Sequence, residues 1–163
     1  MTIPFDPVGA IFSGINSIKT IINENAEQDA VLIEFLEELI YNFKLINNGY
    51  LKNNLPVEDV IPVLKISALE KAERARKRNK IEFNQLKKGK INKGFLVTYH
   101  QKRHYKDYDT ERLMLKLREK LIHLKTTRKL YYKRNKWNKK INQKRRMNSL
   151  VNLIILISNH LSE

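Results

Sequence analysis

Residues 120–146, KLIHLKTTRKLYYKRNKWNKKINQKRR, decide the C-terminal half of the fold. This basic tract contains twelve Lys and Arg side chains and no Asp or Glu. Aromatic and aliphatic residues are set among the cations: Leu130, Tyr131, Tyr132, Trp137 and Ile141. Such a segment favours an anionic partner, either a phosphate backbone or a lipid headgroup layer.

The predicted anion-binding residues all belong to the basic tract: Lys125, Arg128, Lys129, Lys133, Arg134, Lys136, Trp137, Lys139, Lys140, Lys144, Arg145 and Arg146. On nucleic acid, the cations would neutralise phosphates and the aromatic rings would stack on exposed bases. On an anionic membrane, each basic side chain near the surface contributes about 1 kcal/mol, and Trp and Tyr suit the interface. Charge alone does not separate these two partners.

The sequence around the basic tract is typical of long helices. No Gly follows Gly94 and no Pro follows Pro62, and leucines recur at helical spacing from Leu113 to Leu124. We therefore predict that the last 50 residues form one long helix or two helices broken near Thr126-Thr127. The final apolar segment would close the core with Met147, Leu150, Val151, Ile154, Ile155 and Leu161.

At the N-terminus, Asp6-Pro7 predicts a helix start, because Asp is a good N-cap and Pro suits the first helical position. One apolar stripe follows at helical spacing and is the predicted membrane-facing surface: Val8, Ile11, Phe12, Ile15, Ile18 and Ile22. Two interpretations remain open. The helix packs on a bundle like any amphipathic helix, or it detaches and enters a membrane interface.

Further helices are predicted between these ends. One spans roughly residues 27–46 and buries Leu32, Phe35, Leu36, Leu39, Phe43 and Ile46. The residues around Gly49 and Asn53-Asn54 predict turns, with Gly49 inside a longer helix as the alternative. Pro56 starts a third helix whose apolar stripe continues to Ala72, and the glycines of residues 86–94 predict a loop. The predicted fold is an all-α, up-and-down bundle of four to five helices with a long basic C-terminal helical segment, forming one domain over residues 1–163.

Charge divides the chain into two halves. Residues 1–64 have three Lys against nine acids, a net charge of −6, whereas residues 65–163 have a net charge of +21. The acidic patch Glu34, Glu37 and Glu38 is therefore expected to pair with the basic half. The chain has no cysteine, no apolar run long enough to span a bilayer and no basic leader, which favours a cytoplasmic location, peripheral at the inner membrane face.

Catalytic signatures are weak, so we expect a non-enzymatic protein without metal or cofactor. His100 and His104 are four residues apart, but a surface pair explains them better than a metal site. Arg118 and His123 match the R-x4–6-H pattern of HEPN ribonucleases, in which the Arg would stabilise phosphate charge and the His would act as acid or base. Ten arginines and four histidines produce roughly 0.7 such spacings by chance.

The opening residues 5–15, FDPVGAIFSGI, and the later segment 35–42, FLEELIYN, resemble the start of HeLo-type cell-death domains. This class includes fungal heterokaryon-incompatibility domains, the four-helix executioner domain of the necroptosis pseudokinase, and bacterial counterparts near antiviral immune systems. The resemblance implies a small-residue amphipathic first helix and a helical bundle that attack a membrane after activation. It covers about the first 70 residues and implies no catalytic site.

The sequence thus predicts a membrane-directed helical-bundle effector or regulator that engages anionic lipid. The alternative is a basic helical RNA- or DNA-binding protein, such as a ribonucleoprotein subunit, and a second alternative is a HEPN-like ribonuclease. An acidic protein or a second copy of this chain is a further candidate partner.

Overall fold

The computed structural model describes residues 6–24, 29–134 and 140–163. Seven α-helices lie in these ranges: α1 Pro7–Glu24, α2 Ala30–Leu45, α3 Val57–Val63, α4 Ser67–Lys77, α5 Tyr99–Tyr105, α6 Thr110–Arg134 and α7 Lys140–Ser162. A π-helix spans Ile46–Lys52, and 3₁₀ turns lie at Phe83–Gln85 and Lys93–Phe95. These ranges contain no β-strand, so the all-α prediction is confirmed, with more and shorter helices than the four to five expected.

Aspartates begin three of the helices through side-chain caps. The carboxylate of Asp6 accepts a hydrogen bond from the Gly9 N–H (3.0 Å), and Asp109 accepts one from Arg112 N–H (2.9 Å). Asp29 caps α2 by accepting from the Val31 N–H (2.9 Å). Each cap satisfies an N–H that has no partner within its helix. The predicted start at Asp6-Pro7 is therefore confirmed.

Gly49 lies in a π-helix that continues α2, so the alternative of a longer helix holds at this position and the turn does not. The amide of Asn47 donates to the carbonyl of Val8 in α1 (3.3 Å), and the hydroxyl of Tyr50 donates to Asn148 of α7 (2.6 Å). These tertiary contacts hold the residues in a wider helical coil, which local turn preferences cannot reveal. The chain turns only at Asn54, whose φ of 50° is left-handed.

The predicted third helix is divided in two, α3 and α4, by residues 64–66. Two side chains of α2 fix this break. The amide of Asn42 bonds both the carbonyl and the N–H of Lys65 (2.7 and 2.9 Å). The buried carboxylate of Glu38 accepts from the N–H groups of Ala68 and Leu69 (2.9 and 3.0 Å) and so caps α4. Pro62 near the end of α3 also weakens a continuous helix.

Helices α6 and α7 form a long antiparallel hairpin, as three cross-contacts show. Thr110 meets His160 at one end, Lys120 bonds Ser149 in the middle, and Arg146 bonds Thr127 further along. The break predicted near Thr126-Thr127 is therefore wrong. Thr127 is buried within α6, where it accepts a hydrogen bond from the Arg146 guanidinium, and α6 continues to Arg134.

The C-terminal half of α7 is deeply buried in the bundle. Five consecutive residues, 153–157, are all buried, which requires neighbours on every side. Helix α1 covers one of these sides and α6 another. A single apolar cluster extends from Ile11 of α1 to Leu161 of α7. The predicted closing residues Met147 to Leu161 are all buried in this cluster.

Gly14 allows α1 to lie directly on α7. A Cβ at this position would lie 2.2 Å from the hydroxyl oxygen of Ser158 and 2.8 Å from its Cα. No side chain fits there unless the helices separate, because the obstructing atoms include backbone. Ser17 of α1 adds a hydrogen bond to the hydroxyl of Ser162 (3.0 Å). Small residues thus set the distance between the two helices.

We expect Gly14→Ala to destabilise the protein by about 1–3 kcal/mol, the usual cost of overpacking a close contact. The measurement is the free energy of unfolding from urea titration followed by circular dichroism. Ser13→Ala, an exposed change on the same helix, is the control. Gly14→Ala/Ser158→Gly should recover only part of the loss, since the Ser158 Cα remains in the way. Equal stability of Gly14→Ala and wild type would contradict the close contact.

Candidate membrane-facing and anion-binding surfaces

The predicted membrane-facing residues of α1 do not share one environment. Ile11, Ile15 and Ile18 are buried in the core. Val8 and Ile22 are half-buried, and Phe12 points outward with 57% of its surface exposed. In this fold the apolar face of α1 therefore covers the core, as in the interpretation of an ordinary packed helix. The other interpretation, in which α1 enters a membrane interface, requires this helix to separate from α7.

The basic tract occupies the end of the α6–α7 hairpin. Arg128, Lys129, Lys133 and Arg134 lie in the last two turns of α6, and Lys140 begins α7. The structure describes the backbone of these residues but not their side chains. Lys136, Trp137 and Lys139 lie outside the described residues. The helix ends 128–134 and 140–146 together contain eight Lys and Arg and no acid.

Two predicted anion-binding residues are already engaged within the protein. The ammonium of Lys125 donates to the carbonyls of Ile61, Pro62 and Leu64, at the C-terminal end of α3. A cation there satisfies carbonyls that lack helical partners and complements the helix dipole. Arg146 bonds Thr127 and ties the hairpin together (2.6 Å). Sequence reasoning counted their charges but could not see these contacts.

Lys144 and Arg145 are exposed and extend the cationic surface from α7. Beside them lies an open cleft of about 530 Å³ between the π-helix and the beginning of α7. Its walls include Tyr50, Leu55 and Gln143 as well as Lys144. Burial raises the pKa of Tyr50, so the phenol stays protonated and donates to Asn148.

Part of the acidic half pairs with the basic half. Glu34 of α2 forms an exposed ion pair with Lys71 of α4 (2.5 Å). Glu38 of the same acidic patch turns inward and caps α4 instead, while Glu37 remains exposed. Exposed pairs contribute only about 0–1 kcal/mol, so Glu34–Lys71 does little to hold the halves together.

A more buried ionic group joins α4 to α6. The guanidinium of Arg76 makes two hydrogen bonds to Glu73 (2.9 and 3.1 Å) and an ion pair with Glu111 (2.9 Å). Hydrogen bonds from Arg76 lower the pKa of the Glu73 carboxyl, and the charge of Arg118 lowers it further. Sequence patterning missed this group because its members come from two helices distant in the chain.

The two members of the HEPN-like pair point in different directions. Five residues along an α-helix correspond to a rotation of about 140° between the two side chains. His123 is exposed, whereas the Nε of Arg118 is buried without a hydrogen-bond partner among the described residues and its charge acts on Glu73. This geometry does not favour a shared catalytic site, and the ribonuclease stays an untested prediction.

His100 and His104 stack on the exposed side of α5, with ring centroids 4.3 Å apart. Within the described ranges, no group of three or more His, Asp or Glu side chains is arranged to hold a metal ion. The two rings therefore form a surface pair in this structure.

His160 is buried at the joint between α6, α7 and the loop before α5. The hydroxyl of Thr110 donates to the carbonyl of Lys87 (2.6 Å) and lies 2.9 Å from the Nε2 of His160. Because the Thr110 hydroxyl donates its proton to the Lys87 carbonyl, it can only accept from His160, so the imidazole must donate from Nε2. Its Nδ1 is buried without a partner among the described residues. A proton there would place a charge in an apolar site.

The chain matches no protein-family model, no curated protein and no solved structure. Among the described residues, no helix has both the length and the apolar character that are needed to cross a bilayer.

We expect the stability of the protein to fall as the pH drops below about 6.5, the ordinary pKa of histidine. Burial lowers the pKa of His160, Lys87 lowers it further, and Glu163 and Asp109 act in the opposite direction. The unfolded chain therefore binds the proton more readily, so the stabilisation is complete above pH 6.5 and is lost as the pH falls toward the lowered pKa. Urea titrations over this pH range measure the effect.

His160→Gln is the matched control, because a Gln amide can donate to Thr110 but does not titrate in this range. Its stability should change less between neutral pH and pH values just below 6.5. Glu73 loses its contribution only at more acidic pH, near its ordinary value of 4.5, so it does not obscure the comparison. Identical pH profiles for the variant and wild type would show that His160 is not the group responsible.

Proposed function

We propose that this protein is a non-enzymatic, membrane-directed helical bundle. The basic tract engages anionic lipid at the inner face of the membrane, and α1 supplies the apolar surface that enters it. This is the behaviour that the resemblance to HeLo-type cell-death domains implies, with a role in cell death during antiviral defence.

The observation that carries the proposal is the presence of unpaired polar atoms beneath α1, where this helix packs on its neighbours. Two side chains that contact α1, Asn47 and Ser158, each have a buried oxygen without a hydrogen-bond partner among the described residues. A buried polar group without a partner costs about 1–3 kcal/mol. Release of α1 would expose the Oγ of Ser158 to water, which offsets part of the apolar stabilisation of the docked helix, at the expense of the hydrogen bond from Asn47 to Val8.

The apolar face of α1 still favours the docked state in water. Burying a side chain such as Ile11, Ile15 or Ile18 stabilises by about 1.5–3 kcal/mol each, or roughly 5–9 kcal/mol for the three. Helix α1 therefore leaves α7 only where another apolar environment is at hand. A bilayer interface is such an environment, and the basic tract would concentrate the protein there.

A disulfide between α1 and α7 should block this release. Ser17→Cys/Ser162→Cys places two thiols at facing positions of α1 and α7, where the native hydroxyl oxygens lie 3.0 Å apart. The chain has no other cysteine to compete. We expect the oxidised variant to bind vesicles of phosphatidylcholine and phosphatidylserine without releasing an encapsulated dye. Reduction should restore the leakage.

The same variant in its reduced form is the control, since it differs only in the cross-link. Leakage that is equally fast with and without the cross-link would show that α1 does not need to leave α7. Absence of leakage from the wild-type protein under all conditions would refute the membrane proposal itself.

Nucleic-acid binding is the second candidate, favoured by the shape of the basic tract. The hairpin brings the cationic end of α6 next to the cationic beginning of α7, without any acid between residues 120 and 162. Two adjacent cationic helix ends can follow a phosphate backbone without any change in the bundle.

If the hairpin binds RNA, Lys144→Gln/Arg145→Gln should weaken the dependence of binding on salt. Each phosphate contact with a single strand contributes about 0.7 to the slope of log K against log salt, so the slope should fall by about 1.4. The measurement is fluorescence anisotropy with a labelled RNA over a salt series. Lys44→Gln/Lys52→Gln, which removes two exposed charges from α2 and the π-helix, should leave the slope near its wild-type value. Equal slopes for both double variants would argue against RNA binding by the hairpin.

A further inference from the structure

The two most exposed large apolar side chains of the described residues lie two positions apart in the chain, at the start of α5. Tyr99 has 79% of its surface exposed and Val97 has 69%, both more than Phe12 of α1. They contribute nothing to the core. Val97 and Tyr99 are both exposed to solvent and form an apolar surface, called the tip below, of the kind that binds a partner.

This tip is held rigidly. The hydroxyl of Thr98 accepts a hydrogen bond from the Gln101 N–H (3.1 Å), and the Gln101 side chain accepts from the N–H groups of Val97 and Thr98 (2.9 and 3.1 Å). Tyr105 anchors the other end of α5 in the core and packs edge-on against Tyr108 (5.1 Å between ring centroids). The exposed side chains are therefore presented by ordered backbone, which reduces the entropy lost on binding.

Exposed cations surround the tip. Lys102, Arg103 and Lys106 lie within about 60° of Tyr99 around the helix axis, given 100° per residue. Lys93 lies on the preceding 3₁₀ turn. No acid occurs from residue 83 to residue 106, a stretch with seven Lys and Arg. The α5 surface, defined as Lys93, Val97, Tyr99, Lys102, Arg103 and Lys106, is thus apolar at its centre and cationic at its rim.

We propose that the α5 surface docks the protein on an anionic lipid bilayer, with Val97 and Tyr99 in the interface and the cations on lipid phosphates. This inference rests on the proposed membrane function and names a contact separate from α1 and the basic tract. A bilayer interface accommodates an aliphatic and an aromatic side chain together, whereas a nucleic-acid strand rewards the aromatic ring and the cations but not the valine.

Docking here would complement the basic tract. Helix α5 ends five residues before α6 begins, whereas the cations of the basic tract from Arg128 onward lie at the far end of α6. The 25-residue α6 is about 37 Å long, so the two cationic surfaces are too distant to form one patch. Simultaneous contact at both ends would align α6 with the plane of the membrane.

A single cysteine at position 97 tests the proposal directly, because the chain has none of its own. Val97→Cys is labelled with a polarity-sensitive dye and mixed with vesicles of phosphatidylcholine and phosphatidylserine. We expect a blue shift of the dye emission and none with phosphatidylcholine alone. Val63→Cys, at another exposed valine, in α3 (46% exposed), is the control and should show no shift.

Charge removal supplies the second readout. Lys102→Gln/Arg103→Gln should weaken vesicle binding about 30-fold, since each basic side chain near an anionic surface contributes roughly fivefold. Lys44→Gln/Lys52→Gln removes the same charge elsewhere and should have a smaller effect.

The outcomes separate this inference from the proposed function. If the protein binds and permeabilises anionic vesicles while the dye at position 97 remains in water, the α5 docking surface is wrong and the membrane function stands. If vesicles are not bound and the dye instead responds to single-stranded RNA, the surface binds nucleic acid and both membrane proposals fail. A blue shift at position 97 without leakage would support docking and refute the effector role.

Discussion

The packing of α1 on α7 is the contact on which the rest of the bundle depends. Residues 153–157 of α7 are apolar and buried on every side of the helix, so they need a cover on each side. Helix α6 covers one side as its hairpin partner, and α1 closes another through the small residues around Gly14 and Ser158. Without α1, part of the core would face water. The same helix therefore covers the core in this fold and supplies the apolar surface in the proposed membrane function.

The predictions that held were those set by neighbouring residues. Aspartate caps and the apolar stripe of α2 depend on spacing along the chain, and the sequence displays both. The predictions that failed depended on distant partners. Glu38 and Asn42 of α2 separate α3 from α4 by bonding backbone groups that lie 23 to 31 residues away in the chain. Asn47 and Tyr50 hold a π-helix where local preference favours a turn. No periodicity encodes such contacts.

The candidate surfaces show the same division. Composition identified the basic tract, because a run of cations without acids is a property of the sequence itself. It could not show that the ammonium of Lys125 bonds carbonyls at the end of α3, or that Arg146 links α7 to α6 through Thr127. The α5 surface was missed for the opposite reason. A valine and a tyrosine in a short apolar run look like core residues until their exposure is known.

The contact between Ser17 and Ser162 also spans 145 positions of the chain, which has a consequence for biosynthesis. Ribosomes add about 5–20 residues per second, so α1 is made roughly 7–30 s before the helix that will cover it. During that interval the isoleucines of α1 lack their partners on α7, while α2 and the π-helix are made soon after α1 and can cover part of them. Until α7 has been made, the remaining apolar surface of α1 must be shielded in another way.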